Sequence, residues 1–228
     1  MLDAVWAVVV TRVGPGSKSR LAATLDATER RRLTLAMLAD VLDVLAEAAA
    51  DADLLRGIVA VVDDPAARVL AEAAGALVLD DAAHGDMNAA VRAGVRLAAR
   101  HAATTVIVLP GDIPLISRRD LQALLGSAGE APRAVVVGAS RDGQGTNALL
   151  LRPPDVMAPA FGPPSVDRHL RAGLARAAAV HLRPALDLAL DVDTPADLAL
   201  LAEGRHDLRT VRVAADLLAC GATSTPGR

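Results

Sequence analysis

The sequence predicts one α/β domain with a mixed, mostly parallel sheet and helices on both faces, and three observations carry that expectation. Continuous apolar runs recur along the chain, as strands buried on both faces require. They alternate with stretches whose Leu, Val and Ala recur at helical spacing. At 228 residues the chain supplies one sizeable core rather than a tandem of unrelated domains.

The first run, Ala4–Val10, ends in a Gly/Pro loop and reads as the first strand. Asp26-Ala-Thr-Glu29 has the form of a capping box, and Leu33, Met37, Val41, Leu42 and Leu45 extend it into a long amphipathic helix. The alternation continues with an apolar run at Gly57–Val62, a helix from Pro65, a run at Ala76–Leu79, a helix near Asn88–Ala99 and the run Thr104–Leu109. Further on, Ala134–Val137, Asn147–Leu151 and Val180–Leu182 are short β-like runs that allow antiparallel pairing, while Ser165–Ala175 is helical. Pro195–Ala202 is expected as another helix with Thr194 as its cap. The pattern weakens after Gly204, so the domain is expected over 1–204, with a partly disordered extension over 205–228 that ends in a loose tail from Ala222.

Composition narrows the function. Hydrophobic residues make up 53% of the chain but aromatics only 1%, so Ala, Val and Leu must fill the core. With Trp6 and Phe161 as the only aromatic residues, the chain lacks stacking platforms for single-stranded nucleic acid, and a net charge of -3 argues against a long polyanion. Cys220 is alone, which rules out an internal disulfide and fits a reducing cytoplasm. Neither a basic, apolar leader nor a membrane-spanning stretch is evident, so no membrane partner is expected.

Polar islands mark the candidate site. The loop Thr11–Arg20 follows a strand and precedes a helix, where open α/β sheets place ligand loops. Its Lys18 and Arg20 offer donors to phosphate oxygens, although the spacing is not that of a Walker loop and a solvated connection would look the same. Asp112 ends an apolar run between two prolines and is the first metal-ligand candidate, with a turn residue as the alternative. Asp191 and Asp193 share one face if extended, and one of them would complete a metal site; otherwise Asp193 and Thr194 merely start a helix. Gly143-Gln-Gly-Thr-Asn147 and Phe161-Gly-Pro-Pro-Ser165 precede a strand and a helix, with Ser165 readable as an anion donor or as an N-cap, and His169 as a surface or packing residue rather than a catalyst.

Taken in order, Ser17-Lys-Ser-Arg-Leu21, Asn88-Ala-Ala90, Leu109-Pro-Gly-Asp-Ile-Pro114, Gly145-Thr-Asn147, Phe161-Gly-Pro-Pro-Ser165 with His169, and Leu190-Asp-Val-Asp-Thr-Pro195 resemble the phosphoenolpyruvate/2-phospho-L-lactate guanylyltransferase family (CofC/FbiD) from Val8 to about Ala202. The resemblance implies a Rossmann-like nucleotidyltransferase fold and GTP-dependent activation of a three-carbon phosphoacid, with release of pyrophosphate, in coenzyme F-420 biosynthesis. It further implies Mg²⁺ held by Asp112 and Asp193, catalytic Lys18 and Arg20, and nucleotide contacts from Gly16, Ser17 and Asn88. Thr146, Gly162 and Ser165 match the positions that hold phosphoenolpyruvate. The bacterial branch points to phosphoenolpyruvate, with 2-phospholactate and 3-phosphoglycerate as the other acids, and a homodimer is compatible with the sequence.

Two departures stand out: Gly111 where Ala is more usual, and His84-Gly-Asp-Met87 ahead of Asn88. The rival readings are a molybdenum-cofactor-type guanylyl- or cytidylyltransferase, against which the Gly145-Thr-Asn147 and Phe161–Ser165 pair speaks, and a non-catalytic nucleotide-binding module, against which Lys18, Asp112 and Asp193 speak.

Overall fold

The structure, a computed structural model, describes residues 4–14, 16–52, 54–81, 86–183, 190–204 and 207–223. Its strands are β1 (Val5–Thr11), β2 (Gly57–Val62), β3 (Leu77–Asp80), β4 (Thr105–Pro110), β5 (Ala134–Ala139), β6 (Thr146–Arg152) and β7 (Ala179–Arg183). They form one sheet in the order β3-β2-β1-β4-β6-β5-β7. The β3-β2-β1-β4 half is parallel throughout, whereas β6 runs antiparallel to both of its neighbours, β4 and β5. The antiparallel pairing allowed for the later runs is therefore realised at β6.

Alternation along each strand divides the core in two. Val5, Ala7, Val9, Ile107 and Leu109 face one side. There they meet Leu38, Val41, Leu42 and Leu45 of helix α1 (Ala27–Ala49), together with α2 (Pro65–Ala73) and α4 (Arg118–Ala128). Trp6, Val8, Val10, Val106 and Val108 face the other side, under α3 (Met87–Arg100) and α5 (Ser165–Ala175). Helices thus cover both faces, and small aliphatic side chains suffice because packing density rather than ring area fills the layers.

The capping box predicted at the start of α1 is present, with Asp26 accepting from the Glu29 amide and Glu29 accepting from the Asp26 amide. Helix α4 escaped the sequence reading although it carries the same signal: Ser117 and Asp120 form a capping box, and Leu121 and Leu124 bury one face.

The chain beyond Gly204 also holds more order than its pattern indicates. After α6 (Pro195–Glu203), helix α7 (Arg209–Thr223) packs against α1 and α6. The buried Asp40 carboxylate of α1 accepts from the Arg209 and Thr210 amides and from the Thr210 hydroxyl, satisfying donors that a helix start leaves open. Residues after 223, expected as a tail, lie outside the described residues. No helix among the described residues is long and apolar enough to cross a membrane.

A third apolar cluster positions the site. Leu21 and Leu25, just after the first loop, pack with Leu33 and Met37 of α1, Leu190 and Val192, Leu198 and Leu201 of α6, and Ala214 and Leu217 of α7. Two loops remote in sequence, around Lys18 and around Asp193, are thereby anchored on one hydrophobic mass.

Candidate active site

The site lies outside the carboxyl ends of β1 and β4. Sequential connections depart in opposite directions from these strands, which leaves a crevice between them. Lys18, in the loop after β1, has a left-handed backbone with φ 52°, unusual for a residue with a side chain. That conformation turns its side chain inward, where it is 7% exposed. The ammonium contacts Asp112 at 2.5 Å and Asp193 at 2.6 Å, and Arg20 approaches Asp193 at 3.6 Å. Burial alone would lower the Lys18 pKa, but the charges and hydrogen bonds of the two carboxylates outweigh it and raise it.

Both aspartates are free for this role because other groups do the local structural work. Thr194 caps α6 and forms a capping box with Asp197, so Asp193 is not consumed as a helix start. The Val192 amide donates to the Asp112 carbonyl at 3.3 Å, which ties the two acidic loops together. Asp191 lies close by, and burial together with the charges of Asp112 and Asp193 raises its pKa. Gly111, the departure from the usual Ala, also has a steric reason: a Cβ at that position would overlap the Thr11 hydroxyl.

A cavity of about 350 Å³ opens beside this charged cluster. Arg20, Asp112, Asp191 and Asp193 line one part, and Gly145, Thr146, Gly162 and Ser165 line another. A second cavity of about 210 Å³ adjoins it and is lined by Ser17, Lys18, Asp112 and Asp193. Two site residues expected for the same phosphoacid, Thr146 and Ser165, are in direct contact, with their hydroxyl oxygens 2.9 Å apart. Ser165 is the first residue of α5 and makes no cap; Pro164 precedes it at the cap position. Gly162 has φ 95°, a conformation suited to glycine.

The loop 160–162 is held by three side chains. Asn88 accepts from the Phe161 amide at 2.6 Å and donates to the Phe161 carbonyl at 3.1 Å. Arg168 donates to the carbonyls of Ala160 and Gly162, and His169 accepts from the Ala160 amide at 2.8 Å. Asn88, expected to contact the nucleotide, fixes this loop through its amide, whose two hydrogen-bonding ends match one backbone residue. Gly16 has open space around it and Ser17 lines the smaller cavity, so the first loop keeps a surface for a ligand. Arg141, Asp142 and Asp197 also line the larger cavity, and the sequence reading missed them. The polar turn Ser140–Gly145 was the only local signal of the first two.

The description "Guanylyl transferase CofC like" matches residues 7–210, nearly the whole of the described domain. The chain belongs to the CofC-like guanylyl transferases. Within this family it is 43% identical over 199 residues to the phosphoenolpyruvate guanylyltransferase of Rubrobacter xylanophilus, covering 86% of this chain and 93% of the relative. It is 40% identical over 198 residues to the phosphoenolpyruvate guanylyltransferase of Conexibacter woesei, with 87% of each chain covered. A 3-phospho-D-glycerate guanylyltransferase from Phenylobacterium zucineum is 40% identical over 212 residues, covering 92% of this chain and 95% of that one.

Among solved structures, a Methanothermobacter nucleotidyl transferase superposes with TM-score 0.60 at 18% identity, over 95% of this chain and 99% of its own. A Desulfovibrio desulfuricans G20 protein assigned to the nucleotide-diphospho-sugar transferases superposes over the full length of both chains with TM-score 0.72 at 17% identity. The family and the fold agree, and the CofC-like chain is a nucleotidyltransferase.

Proposed function

We propose that this CofC-like enzyme transfers the guanylyl group of GTP to phosphoenolpyruvate, with release of pyrophosphate, as a cytoplasmic step in making coenzyme F-420. The observation that supports it is the shared cavity: Arg20, Asp112 and Asp193 flank it beside Lys18, and Thr146, Gly162 and Ser165 line the same space. Two polyanions must meet there, and a phosphate oxygen of the acid forms the new bond to the α-phosphorus of GTP. The bond from that phosphorus to the β-bridging oxygen breaks, and its electron pair leaves with pyrophosphate. Lys18 and Arg20 neutralise and align the phosphates, while Thr146, Gly162 and Ser165 hold the acid.

Mg²⁺ fits the residues present. Five carboxylates, those of Asp112, Asp142, Asp191, Asp193 and Asp197, line the larger cavity against the guanidiniums of Arg20 and Arg141 and the adjoining Lys18 ammonium, an unfavourable balance for an anionic substrate without a bound cation. Among the described residues no three acidic, histidine or cysteine side chains are grouped to hold an ion by themselves. Asp112 and Asp193 would supply two ligands, as suits an ion that keeps waters and takes substrate oxygens for the remainder. When bound, Mg²⁺ supplies charge neutralisation at the phosphates.

The relative from Phenylobacterium favours 3-phosphoglycerate as the second reading. The purified protein is incubated with GTP and Mg²⁺ and each of phosphoenolpyruvate, 2-phospholactate and 3-phosphoglycerate, and pyrophosphate is measured. Acid-dependent release that is fastest with phosphoenolpyruvate and stops on chelation is expected. Faster release with another acid transfers the assignment to that acid, and acid-independent or absent release removes it.

A further inference from the structure

The buried polar chain behind the cavity has a direction that follows from one backbone amide. His169 is fully buried, its ring edge-on to Phe161 at 5.1 Å between centroids. The Ala160 amide lies 2.8 Å from Nε2. An amide N–H only donates, so Nε2 of the neutral ring accepts and the ring hydrogen resides on Nδ1. Burial, and then the nearby Arg168 charge, lower the His169 pKa to about 4, so the ring is neutral at physiological pH. Nδ1 lies 3.0 Å from Thr146 Oγ1, to which it must donate. Ser165 Oγ, 2.9 Å away, is the acceptor that the described contacts leave for the Thr146 hydrogen. The Ser165 hydrogen is left with the Gln144 carbonyl at 3.5 Å, the longest link of the chain, or with whatever enters the cavity that Ser165 lines.

We infer that His169 is a positioning residue for the phosphoacid: acting through Thr146, it sets the order of donation so that Ser165 presents a hydrogen to an oxyanion in the cavity. This rests on the assignment of Thr146 and Ser165 to the acid given above. A chain of this polarity favours an acceptor-only ligand, such as an ionised phosphate or carboxylate, over one that must itself donate at that point. It also divides the work between the two substrates, since the chain touches the acid side of the cavity and not the loop that carries Lys18.

Two measurements test it. The ¹⁵N shifts of the wild-type histidines at neutral pH, with His169 assigned through His169→Asn, are expected to show Nδ1 protonated and Nε2 unprotonated. The opposite tautomer overturns the inference whatever the substrate. In steady-state kinetics, His169→Phe keeps an aromatic ring, of somewhat larger volume, and removes both hydrogen bonds. It is expected to raise KM for the phosphoacid about tenfold, the scale of one neutral hydrogen bond, with KM for GTP unchanged.

His169→Asn restores a donor near the Nδ1 position and is expected to recover most of that loss. An unchanged acid KM, an equal rise for both substrates, or no recovery with Asn overturns the inference. If His169→Phe does not fold, the Asn variant and the tautomer decide alone. Wild type that releases no pyrophosphate with any acid defeats the substrate assignment instead, and the tautomer remains readable.

Discussion

The two polar clusters beside the cavity are built on opposite plans. At the mouth of the sheet, Lys18 is gripped by Asp112 and Asp193, which stand 94 and 175 residues away in sequence, and the two carboxylates remain 28% and 35% exposed. Behind the cavity, Thr146, Ser165 and His169 lie within one strand and one helix, are neutral and are buried. The first cluster holds partly exposed carboxylates that can exchange partners when a charged ligand arrives. The second holds dipoles already arranged before substrate arrives, which is how a site avoids reorganisation during reaction.

The largest expected effect falls on the charged cluster. Lys18→Ala and Asp112→Ala are each expected to lower turnover by roughly two orders of magnitude or more, the loss associated with removing a donor or counter-charge at developing phosphate charge. Circular dichroism is expected to show both variants folded. Turnover near wild type in either would show that this cluster is structural and would erase the contrast.

A smaller effect separates the clusters by pH. His169 is neutral in the folded protein with a pKa of about 4, against an ordinary 6.5, so the unfolded chain binds more protons between these values. The stability that follows from its burial in the neutral form is full above pH 6.5 and is lost as pH falls toward 4, by roughly 3 kcal/mol. Denaturant midpoints of wild type and His169→Phe across that window are the measurement, and the variant should lack this part of the slope. Equal slopes would show that the ring titrates freely.

The smallest effect concerns how Asp193 is held. Thr194→Ala removes the α6 cap and is expected to cost about 1 kcal/mol in stability. Turnover should fall by much less than in Asp112→Ala, since Asp193 keeps its contact with Lys18. A kinetic loss as large as that of Asp112→Ala would instead make the capping box part of the catalytic arrangement.

Much of this was legible in the chain itself. The apolar runs located β1, β2 and β4, and the Asp26–Glu29 box and the Thr194 cap located two helix starts, because strand burial and caps depend on residues a few positions apart. Helix α4 was missed despite an equivalent box at Ser117–Asp120, and α7 because its first amides are satisfied by Asp40, a partner 170 residues away from Thr210. Lys18, Asp112 and Asp193 were legible as candidates from their places at strand ends. The loop contact of Asn88 was not legible, because an amide side chain suits a nucleotide and a backbone loop equally well.

What the sequence by itself determined was the alternation of strand and helix, the caps, and a set of acidic and basic residues at the strand ends. Those properties follow from periodicity and from hydrogen bonds that close within a turn. Only the tertiary structure decided that Lys18 sits between two aspartates, that Asn88 serves the Phe161 loop, and that His169 hands its hydrogen to Thr146. The reason is physical: the partner of a polar group, and hence its charge state and the direction of its hydrogen bond, depends on neighbours that packing brings near from distant parts of the chain.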